Sequence, residues 1–137
     1  MLTKPFAQYP HCRRVGNLLY LAGQGCRIPE TNAYCGLLKS GASEEVIYDI
    51  SAQTRGVFDN VDRALAEFGL TKHHLVDVTV FLVDLQKDFA AMNLIWNEYF
   101  ASVPLPPVRT TVGVSRLPGF NFVEMKAVAV IKLEENT

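Results

Sequence analysis

The sequence predicts a single α+β domain in which two helices cover one face of a mixed β-sheet, and three observations carry that prediction. Two long segments place apolar residues at helical spacing, one β-branched run has the near-continuous hydrophobicity of an interior strand, and a closing stretch alternates apolar and polar residues around a Pro-Gly turn. At 137 residues the chain can bury about two thirds of the surface its unfolded form exposes, so it needs neither metal nor disulfide to fold. No internal repeat, low-complexity segment or linker divides it, and residues 1–137 read as one domain.

In chain order, Asn17 to Ala22 (NLLYLA) is a short apolar run between Gly16 and Gly23, the pattern of a buried strand that ends at a close backbone approach. The loop QGCRIPETNAYCG and its continuation LLKSGASEEVIY predict a compact excursion, with at most a short edge strand from Tyr34 to Leu38. Asp49 to Leu70 predicts a helix: Asp49 or Ser51 caps it, Ile50, Val57, Phe58, Val61, Leu65 and Phe68 recur on one face, and Gly69 stops it. Leu75 to Leu85 predicts a central strand covered on both sides. A second helix, capped by Asp84 or Asp88, puts Phe89, Met92, Trp96, Tyr99 and Phe100 on one stripe before VPLPP breaks it.

Composition excludes several function classes. Hydrophobic residues make up 49% and charged residues 20% of the chain, the balance of an ordinary globular protein. A net charge of -1 without clustered Lys and Arg argues against a nucleic-acid partner, whose affinity depends on displacing counterions from phosphates. Cys12, Cys26 and Cys35 are odd in number and lack C-x-x-C spacing, so they predict neither a disulfide framework nor a zinc ribbon and suit a reducing cytoplasm. The opening MLTKPFAQYPHC has no continuous apolar stretch, and no run approaches the ~20 apolar residues that span a bilayer. A cytoplasmic protein with no membrane partner is the expectation.

The stretch from Pro106 to Leu133 predicts a closing hairpin with two oddities, Arg109 in its first strand and Glu124 in its second. With a turn near Pro118 to Phe120, Arg109 falls beside Val130 and Glu124 beside Ser115, which puts both charges on the same mixed face. Within one hairpin they stand about 20 Å apart, too far to touch. Either each is a rim residue that reaches water, or the arginine of one copy meets the glutamate of another in a cleft between copies. Two helices on one face leave the other sheet face bare, and self-association is the simplest way to bury it.

The ordered set GNLLYLAGQ, AQTRGVFDNVDRALAEFG, DVTVFLVDLQKDFAAMN, P-x-R-T-T and L-P-x(5)-E-x-K-A-V-A-V resembles the reactive intermediate deaminase (Rid, YjgF-like) family from Tyr9 to Leu133. YPHCRR, R-x-P-E-T-N and E-M-K-A-V-A look most like the branch that contains 2-aminomuconate deaminase. The resemblance implies a chorismate mutase-like subunit in a homotrimer, sheets inward, with clefts between neighbours. It also implies hydrolysis of enamines or imines to ketones and ammonia without metal or organic cofactor, as in the conversion of 2-aminomuconate to 4-oxalocrotonate in aromatic-compound catabolism. Arg109 falls on the family's carboxylate-binding arginine and Glu124 on its water-orienting glutamate, while Tyr9, Gly23 and Asn93 match positions that line the cleft. Ala22 stands where many members carry Ser, and Thr111 where many carry Cys.

These residue types suit that chemistry. Imine carbon is already electrophilic, so hydrolysis needs a positioned water, a proton acceptor and a grip on the substrate carboxylate. The planar fork of arginine supplies the grip through two parallel charge-assisted bonds. A carboxylate such as Glu124 can take a proton from water and return one to the leaving nitrogen. A small dicarboxylate substrate would leave its second anion unpaired, and Arg13, Arg27 or, less directly, His11 are the candidates to hold it. Lys126 reads as an ion-pair partner for Glu124, and His73-His74 as surface or helix-terminal residues rather than metal ligands. Met92 and Trp96 read as core, and Cys26 and Cys35, without a neighbouring base, as inert or cleft-lining.

Overall fold

The computed structural model describes residues 1–41 and 45–133, so the expected loop continuation through 42–44 lies outside the described residues. The chain first forms a hairpin, β1 (Cys12–Val15) and β2 (Leu18–Gln24), with Val15 opposite Leu18. A two-residue hairpin turn requires positive φ, which Gly16 supplies at 60°. The first of these strands is not expected from the sequence, because CRRV shows no apolar alternation; the Gly-Asn pair after it is the signal that marks the turn. β3 (Leu37–Lys39) and β4 (Ile47–Tyr48) make a separate two-stranded ribbon. The edge strand expected from Tyr34 to Leu38 is an isolated Arg27–Tyr34 bridge followed by β3.

Helix α1 (Ile50–Ala66) starts where Asp49 accepts hydrogen bonds from the N–H groups of Ser51 and Ala52. Val57, Phe58, Val61 and Leu65 are buried on its inner face. Phe68 lies beyond the helix and is 41% exposed, so it does not extend that stripe. A 3₁₀ turn (Lys72–His74) leads into β5 (Leu75–Leu82). Helix α2 (Leu85–Tyr99) is capped by Asp84, which accepts from the N–H of Lys87. The rings of Phe58 and Tyr99 stack at 3.9 Å, and Trp96 packs on Phe100 at 4.5 Å, which joins the two helices through aromatic contacts.

β6 (Val108–Gly113) and β7 (Val123–Val130) complete one five-stranded mixed sheet in the order β1-β2-β7-β5-β6. This corrects the expected closing hairpin: β6 and β7 are not neighbours, because β5 lies between them. β5 runs parallel to β6 with Val78 opposite Arg109, and antiparallel to β7 with Phe81 opposite Glu124. A parallel pair requires a crossover, and α2 provides it. The alternation in each strand identifies its two faces but not its partner, and the segment 114–122 is long enough to pass the end of β5.

Both helices cover one face of the sheet. Leu19, Leu21, Val78, Val80, Leu82, Met125 and Ala127 point into that layer and are 2% exposed or less. Asp77, Thr79 and Phe81 alternate with the buried residues of β5 and face the other way with Lys126 and Glu124. The expectation that β5 is covered on both sides therefore fails within one protomer. Among the described residues, no helix is long and apolar enough to cross a membrane.

Candidate active site

Arg109 sits on β6, the edge strand next to β5, and its register opposite buried Val78 turns it toward the helix layer. Its Nη1 donates to Oδ1 of Asn93 on α2 at 2.8 Å. The guanidinium carbon lies 4.9 Å from the centre of the Trp96 ring and 5.7 Å from that of Phe89. Burial lowers the pKa, but an arginine remains a cation. The Asn93 bond and the ring contacts fix the plane of the fork while taking up one of its five N–H donors. Thr111 follows two residues later on the same face, and its Oγ1 is buried without a hydrogen-bond partner among the described residues.

Glu124 faces away from the helices. A Cβ built on Gly23 would stand 2.3 Å from its Oε1, so glycine is what permits the carboxylate to lie against β2. Gly23 falls where the β2–β7 register shifts between Leu21 and Gln24, an irregularity that re-aims neighbouring groups. Burial raises the Glu124 pKa above the usual carboxylate value. Beside it is a cavity of about 70 Å³ lined in part by Tyr9, His11, Gly23, Arg27 and Asn121.

Buried amides hold the backbone around that cavity. Gln24 donates to the carbonyl of Ala22 and to Nδ1 of His11. Asn60 of α1 donates to the carbonyls of Gly25 and Arg27, each at 2.8 Å. Asn121 accepts from the N–H of Cys26 at 2.8 Å, and a side chain on Gly25 would strike it. Gln53, fully buried, accepts from the N–H of Phe122 and donates to the carbonyl of Phe120, which fixes the approach to β7. None of these amides is legible as a site residue in the sequence; each is an isolated polar residue in or beside a regular element.

The sequence candidates thus separate into two groups. Tyr9, Gly23, Arg27 and Glu124 come together, while Arg109, Asn93 and Thr111 form a second group. Arg13, exposed on β1 opposite Tyr20, belongs to neither. The expectation that Arg109 and Glu124 share a face is overturned: two strand spacings and three residues of offset separate their Cα atoms by about 14 Å, and their side chains leave opposite faces. Within one protomer they cannot hold one small ligand between them.

The remaining candidates fill other roles. His74 closes a capping box with Thr71. Burial pushes the Cys26 thiol up to about 12 and Cys12 up to about 11, which leaves both as protonated thiols and poor nucleophiles. Cys26 is fully buried and so does not line the cleft. Among the described residues, no group of three or more His, Cys, Asp or Glu side chains is placed to hold a metal ion.

Comparison with known proteins locates this arrangement. The profile of the endoribonuclease L-PSP family matches residues 2–131. A RutC family protein of Pyrococcus abyssi is 40% identical over 126 residues, 92% of this chain and 88% of that protein. The crystal structure of the YjgF gene product of Escherichia coli superposes with a TM-score of 0.77 at 30% identity, covering 94% of this chain and 92% of that one. Escherichia coli TdcF, solved with bound serine, gives 0.78 at 27% identity, covering 94% and 92%.

Proposed function

The chain belongs to the endoribonuclease L-PSP family, which includes the RutC and YjgF proteins, and on that basis we propose that it is a cofactor-free hydrolytic deaminase of enamine or imine carboxylates. The observation that carries this reading is that the chain holds two groups of complementary chemistry, each incomplete alone: a cation oriented by Asn93 on one sheet face, and a burial-raised carboxylate at a glycine on the other. They would become one site in a homotrimer with bare sheet faces inward, in which Arg109, carried on the edge strand β6, reaches past that edge to Glu124 of the next copy. The serine bound by TdcF supports a small carboxylate as the ligand class.

Arg109 grips the substrate carboxylate through its fork. Glu124 takes a proton from water as the water oxygen bonds to the imine carbon and the C=N π electrons move to nitrogen, and it passes that proton to the nitrogen, giving a neutral carbinolamine. In the collapse Glu124 takes the hydroxyl proton as C=O forms and hands it to the departing nitrogen, so the C–N electron pair leaves with ammonia and the carboxylate is restored. Burial helps, because a base with a raised pKa is a better proton acceptor. Gly23 and Tyr9 border the cavity in which the reacting water would sit.

The substrate we favour is 2-aminomuconate, giving 4-oxalocrotonate and ammonia. Arg27 in the Glu124 cavity is a second cation suited to a second carboxylate, whereas Arg13 does not line that cavity. A monocarboxylate such as 2-aminoacrylate is the neighbouring reading. Against an RNA substrate, which the family description suggests, stand the net charge of -1 and the lack of a basic stripe. Ammonium release from freshly generated 2-aminomuconate and from 2-aminoacrylate tests the proposal. Faster turnover of the dicarboxylate is expected, and no acceleration of either over buffer refutes it.

A further inference from the structure

The Glu124 cavity is roofed by the beginning of the chain: Thr3, Pro5, Phe6 and Tyr9 line it. This segment contains no helix or strand. Among the described residues, two hydrogen bonds tie residues 2–8 to the body, and both run from body side chains to carbonyls of the segment. Arg27 Nη2 donates to the Lys4 carbonyl at 2.7 Å, and His11 Nε2 donates to the Thr3 carbonyl. The Arg27 guanidinium also lies 4.2 Å from the centre of the Phe6 ring. The space between this segment and Glu124, about 70 Å³, admits a few waters, whereas sites for organic ligands are typically ~300–1,000 Å³. A ligand's carbon skeleton therefore fits between Arg27 and Glu124 only when this segment moves.

We propose that residues 3–9 form a strap over Glu124 with Arg27 as its latch, and that a carboxylate of the incoming ligand opens the strap by drawing the guanidinium off the Lys4 carbonyl. The exchange is downhill for the arginine, since a charge-assisted bond to a carboxylate is roughly twice as strong as one to a neutral carbonyl and the fork can make two of them. Arg27 is then a positioning residue that admits anionic ligands, with the strap returning Tyr9 to the cavity once it closes. The inference rests on the reading of this cavity as the substrate site and adds what controls access to it.

Chymotrypsin cleavage of the Phe6–Ala7 bond, followed by mass spectrometry on the full chain, reads the strap directly. Muconate serves as an unreactive dicarboxylate probe, against sodium chloride at matched ionic strength. Cleavage of the unaltered protein is expected to be slow and to rise several-fold with muconate. Arg27→Gln is expected to be cut several-fold faster from the start and to ignore muconate, and Arg27→Lys to restore part of the protection. His11→Leu, which removes the other tie, should be cut faster while still responding to muconate, so the test survives an Arg27 variant that fails to fold. A rate in the unaltered protein that muconate leaves unchanged or lowers, or an Arg27→Gln protein with an unaltered melting temperature that is cut no faster, overturns the proposal. Because the assay needs no turnover, absence of ammonium release would sink the deaminase reading and leave the latch standing.

Discussion

Arg109 and Glu124 leave opposite faces of one sheet, with β5 between their strands. No side-chain rotation joins them inside a protomer, so a site that uses both must draw them from different copies. The bare face that carries Glu124, Lys126, Asp77 and Thr79 is the surface on which such copies would meet.

Glu124→Gln should lower kcat by about 100-fold or more, the usual contribution of a positioned acid-base group. With Glu124 as the base, kcat/KM should fall as pH is lowered through its pKa, which burial holds above the usual carboxylate value. The stability effect has the opposite sense. A carboxyl whose folded pKa is raised binds its proton more tightly in the folded state, so its stabilising contribution is full at low pH and is lost as pH rises through the folded pKa. Urea denaturation at neutral pH should therefore find Glu124→Gln at least as stable as the unaltered protein.

Gly23→Ala would place a methyl group on the carboxylate. The expected result is a loss of activity of at least tenfold, with the urea midpoint little changed because the side chain it displaces is flexible. Steady-state kinetics and denaturation on the same preparation separate the two effects.

Asn93→Ala removes the hydrogen bond that orients the Arg109 fork. A rise in KM for a carboxylate imine of about tenfold is expected, in line with a hydrogen bond to a charged group. Arg109→Lys should not rescue binding, since a lysine cannot make the paired bonds of the fork.

Gln53→Leu keeps the volume but leaves the Phe122 N–H and Phe120 carbonyl without the partner they share. A destabilisation of about 2–3 kcal/mol is expected from burying unpaired backbone groups. Equilibrium urea unfolding measures it.

The sequence made the helices legible because capped, periodic segments report their own burial: Asp49 and Asp84 do cap α1 and α2. Strand faces were equally readable, since Val123, Met125 and Ala127 alternate as the pattern requires. Strand partners were not, because alternation carries no information about which neighbour a strand selects, and the Pro118-Gly119 turn imitates a hairpin. A hairpin there would put Arg109 and Glu124 on one face. Gln24, Gln53, Asn60 and Asn121 are illegible for another reason: a lone amide in a strand, helix or loop looks solvent-facing until tertiary structure surrounds it with backbone groups to satisfy.

The most direct test of a site shared between copies is complementation. Arg109→Gln and Glu124→Gln proteins should each be nearly inactive alone. After denaturation, equal mixing and refolding, random assembly restores about one quarter of the sites in a closed ring, because each site needs one intact arginine and one intact glutamate from adjacent copies. Recovery of about one quarter of the original ammonium-releasing activity is the predicted result. A mixture that stays as inactive as its parents, while the unaltered protein refolds to full activity by the same procedure, would contradict the account.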